Sequence, residues 1–183
     1  FLKSKMDEHR MNRRTTRDPV IFRFTSPVIA ILAALVLLIC ASSPAPAWEI
    51  DTTHKWAWSA TAGWVNHRAT PAQAAVYADH LEGYAWAENI GWVRLGTHTG
   101  GGAHTYQNTT AADYGVNSDG SGNLSGFGWS ANAGWIRFDP THGGVSVDPA
   151  TGDFSGYAWS ENTGWIRFAG TAQDSTAYKV QYT

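Results

Sequence analysis

Two tryptophans six residues apart, with glycine directly before the second, recur four times in this 183-residue chain. The fullest copy is Gly156-Tyr157-Ala158-Trp159-Ser160-Glu161-Asn162-Thr163-Gly164-Trp165-Ile166-Arg167-Phe168, and Gly83 to Leu95 and Gly126 to Phe138 follow it closely. Trp56 to Asn66 forms a degenerate first copy. A block recurring in this way marks a repeat architecture, in which each unit covers its neighbour's apolar face.

Each block reads as a β-hairpin, because apolar and aromatic residues flank a short polar segment ending in glycine. The glycine can supply the positive φ that a tight turn demands, and the Asn before it can cap the turn through its side chain. Side chains alternate across a strand, so parity assigns faces. If Trp159 pairs with Trp165, then Tyr157 lies opposite Arg167 on the same face. Gly156, Ala158, Ile166 and Phe168 share the other face, with Gly156 beneath Phe168. A bulge at Gly164 would shift this register by one residue.

A third strand precedes the hairpins, as in Gly144-Val145-Ser146-Val147, so the unit is a three-stranded meander. The first copy has little before it, whereas a spare strand, Ala177 to Tyr182, follows the fourth. We therefore expect an all-β domain of four meander repeats, at about 48–70, 71–96, 112–139 and 143–169. The spare strand, about 176–182, would complete the first repeat and close a propeller- or barrel-like ring. An open β-solenoid or a sandwich is the alternative.

The first role these rings suggest is structural, the hairpins supplying their own core from indoles. A cross-strand pair of tryptophans adds roughly 0.5–1.5 kcal/mol beyond its area burial, and an arginine over an aromatic face contributes similarly. The other role is a stacking platform for sugar rings. On that reading the ligand-binding residues are Trp58 with Trp64, Trp86 with Trp92, Trp129 with Trp135 and Trp159 with Trp165. Tyr84, Tyr157, Arg94, Arg137 and Arg167 flank them. Exposure of the indoles separates the two roles.

The segment before the repeats reads as an export signal. Five arginines precede an apolar run from Val28 to Cys40, too short for the roughly 20 residues of a membrane helix. Ala45 and Ala47 then form an A-x-A cleavage site. Cys40 follows a lipobox-like stretch, but Ile39 before it fits lipoprotein processing badly. Arg13-Arg14 lies too far from the apolar run for twin-arginine export. Cleavage after Ala47 would place the domain in the periplasm, on the cell surface or outside the cell. It keeps all ten tryptophans and no cysteine, so packing rather than disulfides must stabilise it. Six basic against twelve acidic residues make it mildly acidic, a poor nucleic-acid binder, and no membrane association is expected after cleavage.

Catalytic constellations are missing: no cysteine nucleophile, G-x-S-x-G elbow, H-E-x-x-H or phosphate-binding loop occurs after residue 47. Asp139, Asp148 and Asp153 are the nearest carboxylates for a cell-wall polymer hydrolase, yet each adjoins turn-forming residues. Glu88 and Glu161 occupy matching turn positions and read as solvated. His98, His104 and His142 form the one metal-like group, without a carboxylate at fixed zinc spacing. Asn117, Asp119 and Asn123 alternate oxygens as a calcium loop does, but without its distal glutamate, and read equally as a Gly-rich turn. No cofactor is expected beyond that calcium pattern. The Trp86 to Trp129 interval is 43 residues against 30 for the next, because of an insertion from about Gly96 to Ala112. Specificity often resides in such a polar loop.

Over Gly156 to Phe168, and then Gly83 to Leu95 and Gly126 to Phe138, the chain resembles uncharacterised bacterial secreted or surface proteins in which G-Y-A-W-S-E-N-x-G-W-I-x-F recurs. The resemblance spans most of residues 48–183 and implies no activity, substrate or catalytic residue. The expectation is a noncatalytic exported repeat protein that binds a glycan or cell-surface polymer or serves as a structural surface component. A self-assembling fibre or surface-layer subunit and a cell-wall polymer hydrolase are the alternatives.

Overall fold

The computed structural model describes residues 47–183, so the reading of the leader, Cys40 included, lies outside the described residues. Each block folds as a hairpin: β1 (Trp48–Ser59) with β2 (Gly63–Asn66), β4 (Leu81–Ala87) with β5 (Gly91–Arg94), β7 (Leu124–Ser130) with β8 (Gly134–Arg137), and β10 (Phe154–Ser160) with β11 (Gly164–Arg167). Trp58 faces Trp64, Trp86 faces Trp92, Trp129 faces Trp135 and Trp159 faces Trp165. Tyr84, Phe127 and Tyr157 face Arg94, Arg137 and Arg167. Parity therefore predicts the register correctly, without the bulge at Gly164. Gly63, Gly91, Gly134 and Gly164 have φ of 73–74°, the left-handed conformation that reverses the chain.

The hairpins join edge to edge, each antiparallel to the next. Asn66 faces Trp86, Arg94 faces Trp129, Arg137 faces Trp159, and Arg167 faces Trp58. The last pairing returns β11 to β1 and closes an eight-stranded antiparallel barrel. No helix occurs among the described residues.

Short strands β3 (Ala74–Val76), β6 (Val116–Ser118) and β9 (Gly144–Val147) extend the hairpins by pairing with β4, β7 and β10. They set Ala74, Val116 and Val145 opposite Gly83, Gly126 and Gly156. The remaining strands are β12 (Ala169–Thr171) and β13 (Ala177–Tyr182). β13 pairs with β12 and with β1, where Val180 faces Lys55. Lys55 precedes Trp58 by three residues, as Gly83 precedes Trp86, so β13 supplies the first repeat's missing strand. Gly156 is required by β9 rather than by Phe168: its φ is +85°, and a Cβ there would sit 1.9 Å from the Gly144 carbonyl oxygen.

The core corrects the expectation that indoles fill it. Small residues flank each first tryptophan on the inward face: Ala57 and Ser59, Ala85 and Ala87, Gly128 and Ser130, Ala158 and Ser160, all buried. Val65, Val93, Ile136 and Ile166 face inward from the second strands and are at most 4 % exposed. An eight-stranded barrel is only wide enough for such side chains to fill it, so the indoles lie outside.

Three residues past each second tryptophan stand His67, Leu95, Phe138 and Phe168, all buried. Their N–H groups donate to the carbonyls of Lys55, Gly83, Gly126 and Gly156, and their own carbonyls accept from Ala74, Val116, Val145 and Val180. His67 is thus the first copy's counterpart of two phenylalanines and a leucine. It packs on Phe168 at 5.3 Å, and its Nδ1 has no partner. Burial lowers its pKa from 6.5 to about 4, because the interior disfavours the imidazolium.

Two predictions follow from this frame. Because the folded pKa of His67 is depressed, its contribution to stability is complete above 6.5 and is lost as pH falls through about 4, amounting to about 3 kcal/mol. His67→Leu should therefore unfold at lower pH than the parent in an acid titration followed by circular dichroism; equal midpoints would contradict the assignment. Deleting 177–183 uncovers β1 and the Phe168 carbonyl, and calorimetry should show a melting temperature at least about 10 °C lower or no cooperative transition.

Candidate functional site

The outer surface of the barrel carries a belt of indoles. Trp58, Trp86, Trp92, Trp129, Trp135 and Trp165 are 36–43 % exposed, and Trp64 and Trp159 are half-buried. In copies two to four the paired rings meet edge-to-face with centroids 4.8–5.0 Å apart. Tyr84, Phe127 and Tyr157 add a third ring about 6 Å from the second tryptophan. The first copy differs: Trp64 packs edge-on against Trp56 and Tyr178.

Around the belt, each first-strand indole stands between its own partner and the preceding copy's residue two past its second tryptophan. Trp129 has Arg94 beside it, Trp159 has Arg137 and Trp58 has Arg167, whereas Trp86 has Asn66. The arginines have different local partners. Arg167 lies over Tyr157 at 5.8 Å, Arg137 pairs with Asp139 at 3.1 Å, and Arg94 donates to the carbonyls of Gly96 and Thr97.

The turns lock neighbouring hairpins together. Asn89, Asn132 and Asn162 donate their amides to the carbonyls of Thr61, Ile90 and Ala133 in the preceding copy. The expected turn cap is instead a serine: Ser130 and Ser160 hydroxyls accept from the N–H of Asn132 and Asn162. Ser130 and Ser160 also donate to Ile90 and Ala133 carbonyls.

The Gly96 to Ala112 insertion breaks the symmetry of the belt. Held at its start by Arg94, it returns along the barrel so that Tyr114 packs edge-on against Trp135 at 4.8 Å. Tyr114 and Ala111 form a ridge between two grooves. One, of about 690 Å³, is walled by Trp135, Trp159, Arg137 and residues 108–111. The other, of about 520 Å³, is walled by Trp92, Trp129, Arg94 and Tyr84.

The metal-like histidines divide. His98 and His104 stack at 4.1 Å, while exposed His142 occupies a separate turn at φ +68°. Burial first, and then neighbouring His98 and His80, hold the His104 imidazole below its usual range. His80 and Glu82 complete the cluster, and sequence reasoning missed both. Their signal was H-x-E on a strand, which puts both side chains on one face.

Asn117 lies on β6, and Asp119 and Asn123 lie in the Gly-rich turn between β6 and β7. Asn117 exchanges two hydrogen bonds with the Tyr106 backbone. Asp119 accepts from the N–H of Ser121 and Asn123 and from the Asn123 amide. The carboxylates weighed for a hydrolase have partners: Asp139 pairs with Arg137, Asp153 with Lys179 at 2.7 Å, and Asp148 accepts from the Ala150 N–H.

Comparisons with family models, curated proteins and solved structures found no match to this chain. The belt itself makes a direct prediction: acrylamide should quench most of the native tryptophan emission, and a mostly inaccessible emission would contradict outward-facing indoles.

Proposed function

We propose that this is a noncatalytic carbohydrate-binding protein of the cell envelope or extracellular space, taking a cell-surface or extracellular polysaccharide along its indole belt. The observation that carries the reading is the position of the tryptophans. Side chains that would be core residues elsewhere are held on the outside, six of the eight paired indoles more than a third exposed. Monomeric proteins rarely expose contiguous apolar surface on this scale unless it is an interaction site. Indole faces suit the C–H faces of pyranose rings, and edge-to-face packing fixes them before any ligand arrives, lowering the entropy lost on binding.

The grooves beside Tyr114 give the surface concavity and polar groups, which a flat aromatic belt lacks. Thr110, Asn108, Glu161 and Asn162 stand among the walls of the larger groove and can hydrogen-bond hydroxyls. Closure of the barrel leaves its own strands without a free edge, which favours ligand binding over fibre growth by strand addition. The pairing of Asp139 with Arg137 and of Asp153 with Lys179, and the N–H that Asp148 accepts, favour it over hydrolysis.

A glycan array followed by calorimetry on the best polysaccharide tests the reading. Trp135→Ala should weaken binding about tenfold or more, as loss of a central aromatic anchor does. Trp48→Ala removes an equally exposed indole outside both grooves and should leave affinity unchanged. Absence of binding to any glycan, or equal loss in both variants, would refute it.

A further inference from the structure

The geometry points to a zinc-type metal site formed by His80, Glu82 and His98, where the start of β4 meets the insertion. Nothing in the carbohydrate reading requires it. His80 precedes β4 and Glu82 lies within it, so alternation sets both side chains on one face. His98 comes from the loop after β5. One ligand atom from each of the three lies within 4.8 Å of the others. The Glu82 Oε1 is 3.1 Å from His80 Nε2 and 3.7 Å from His98 Nε2. Ligands at about 2.0–2.1 Å around a tetrahedral ion stand about 3.3 Å apart, so these separations need only small adjustment.

Hydrogen-bond inventory argues for a cation. His80 is fully buried, and both of its ring nitrogens face carboxylates: Nδ1 is 2.6 Å from Asp79 Oδ1, and Nε2 faces Glu82. A neutral imidazole has one N–H, so it can serve only one of them. With Nδ1–H donated to Asp79, Nε2 turns a lone pair toward a carboxylate that is itself only 7 % exposed. Among the described residues, no lysine or arginine pairs with Asp79 or Glu82. An ion bound between Nε2 and Oε1 reverses that repulsion, and the Asp79 contact then orients the ligating ring as outer carboxylates do in metal sites.

The surroundings are rigid. Tyr77 stacks on His80 at 4.6 Å, and Tyr106 packs edge-on against it while donating its hydroxyl to the Leu81 carbonyl. The His104 ring lies flat on His98, and Asp79 Oδ2 accepts the His104 N–H. His98 Nε2 is 3.1 Å from the Gly101 carbonyl, so ligation exchanges that contact for the ion. Two imidazoles and one carboxylate suit zinc among abundant divalent ions, and the His98 side chain, 31 % exposed, gives the ion a route in. Such an ion would tie the base of the insertion to β4 and so fix the loop whose far end walls both grooves.

The test uses the full chain, purified without a histidine tag, stripped with chelator and titrated with zinc sulfate by calorimetry. One zinc per chain is expected, with a dissociation constant of about 1 µM or tighter and a melting temperature raised at least about 5 °C by excess zinc. Cobalt substituted for zinc should give intense visible absorption bands of a four-coordinate centre. His98→Ala, at a partly exposed loop position, and Glu82→Gln should each lose at least tenfold in zinc affinity, while His142→Ala should lose none. No stoichiometric zinc uptake, or uptake unchanged in His98→Ala, would overturn the proposal. Because the readouts are metal binding and cobalt spectra, they stand or fall independently of glycan binding.

Discussion

The width of an eight-stranded barrel is the constraint from which the rest of the molecule follows. Strands alternate their side chains in and out, and the inside of so narrow a barrel admits a limited volume. Alanine, glycine and serine from the first strand of each hairpin meet valine or isoleucine from the second, and four such sets fill the interior. The tryptophans at the intervening positions can then only face outward. Their exposure is a consequence of closure, and the edge-to-face pairing between strands limits its cost by covering part of each ring.

Much of this was legible in the residues themselves. Parity and the six-residue spacing gave the cross-strand pairs, the arginine partners and the positive-φ glycines, because these depend on local chain geometry. Parity could not say which face meets the core. Hydrophobicity favoured the indoles, and only the curvature of the closed sheet decides for Ala85, Val93 and their counterparts. The role of Asn162 was hidden for a related reason: its amide reaches the preceding hairpin, 29 residues away, and no local pattern encodes that partner. His80 and Glu82 are not legible as part of that group, because His98 and His104 reach them from the insertion and no local spacing encodes the meeting.

The first repeat shows how far a unit can drift while the ring stays closed. It has Lys55 where its siblings have glycine, Asn66 where they have arginine and His67 where they have leucine or phenylalanine. Its third strand arrives from the other end of the sequence, with an irregular register between Ile50 and Lys55. The substitutions gather where that distant strand docks: Lys55 faces Val180, and His67 packs against Phe168, the residue whose carbonyl holds Val180. The junction therefore combines the greatest sequence divergence with the longest-range contacts in the ring.

That same junction brings the two ends of the described chain together. Trp48 stacks on Tyr182 at 5.2 Å, and the Thr183 N–H donates to the Glu49 carbonyl. A few residues of linker would suffice to join them, and the opening could then be moved to another inter-repeat connection, such as the exposed turn at 141–143. In topological terms the fold is a circle whose starting point is arbitrary, so this domain is suited to circular permutation and to insertion within a loop of a host protein without disturbing either chain's path.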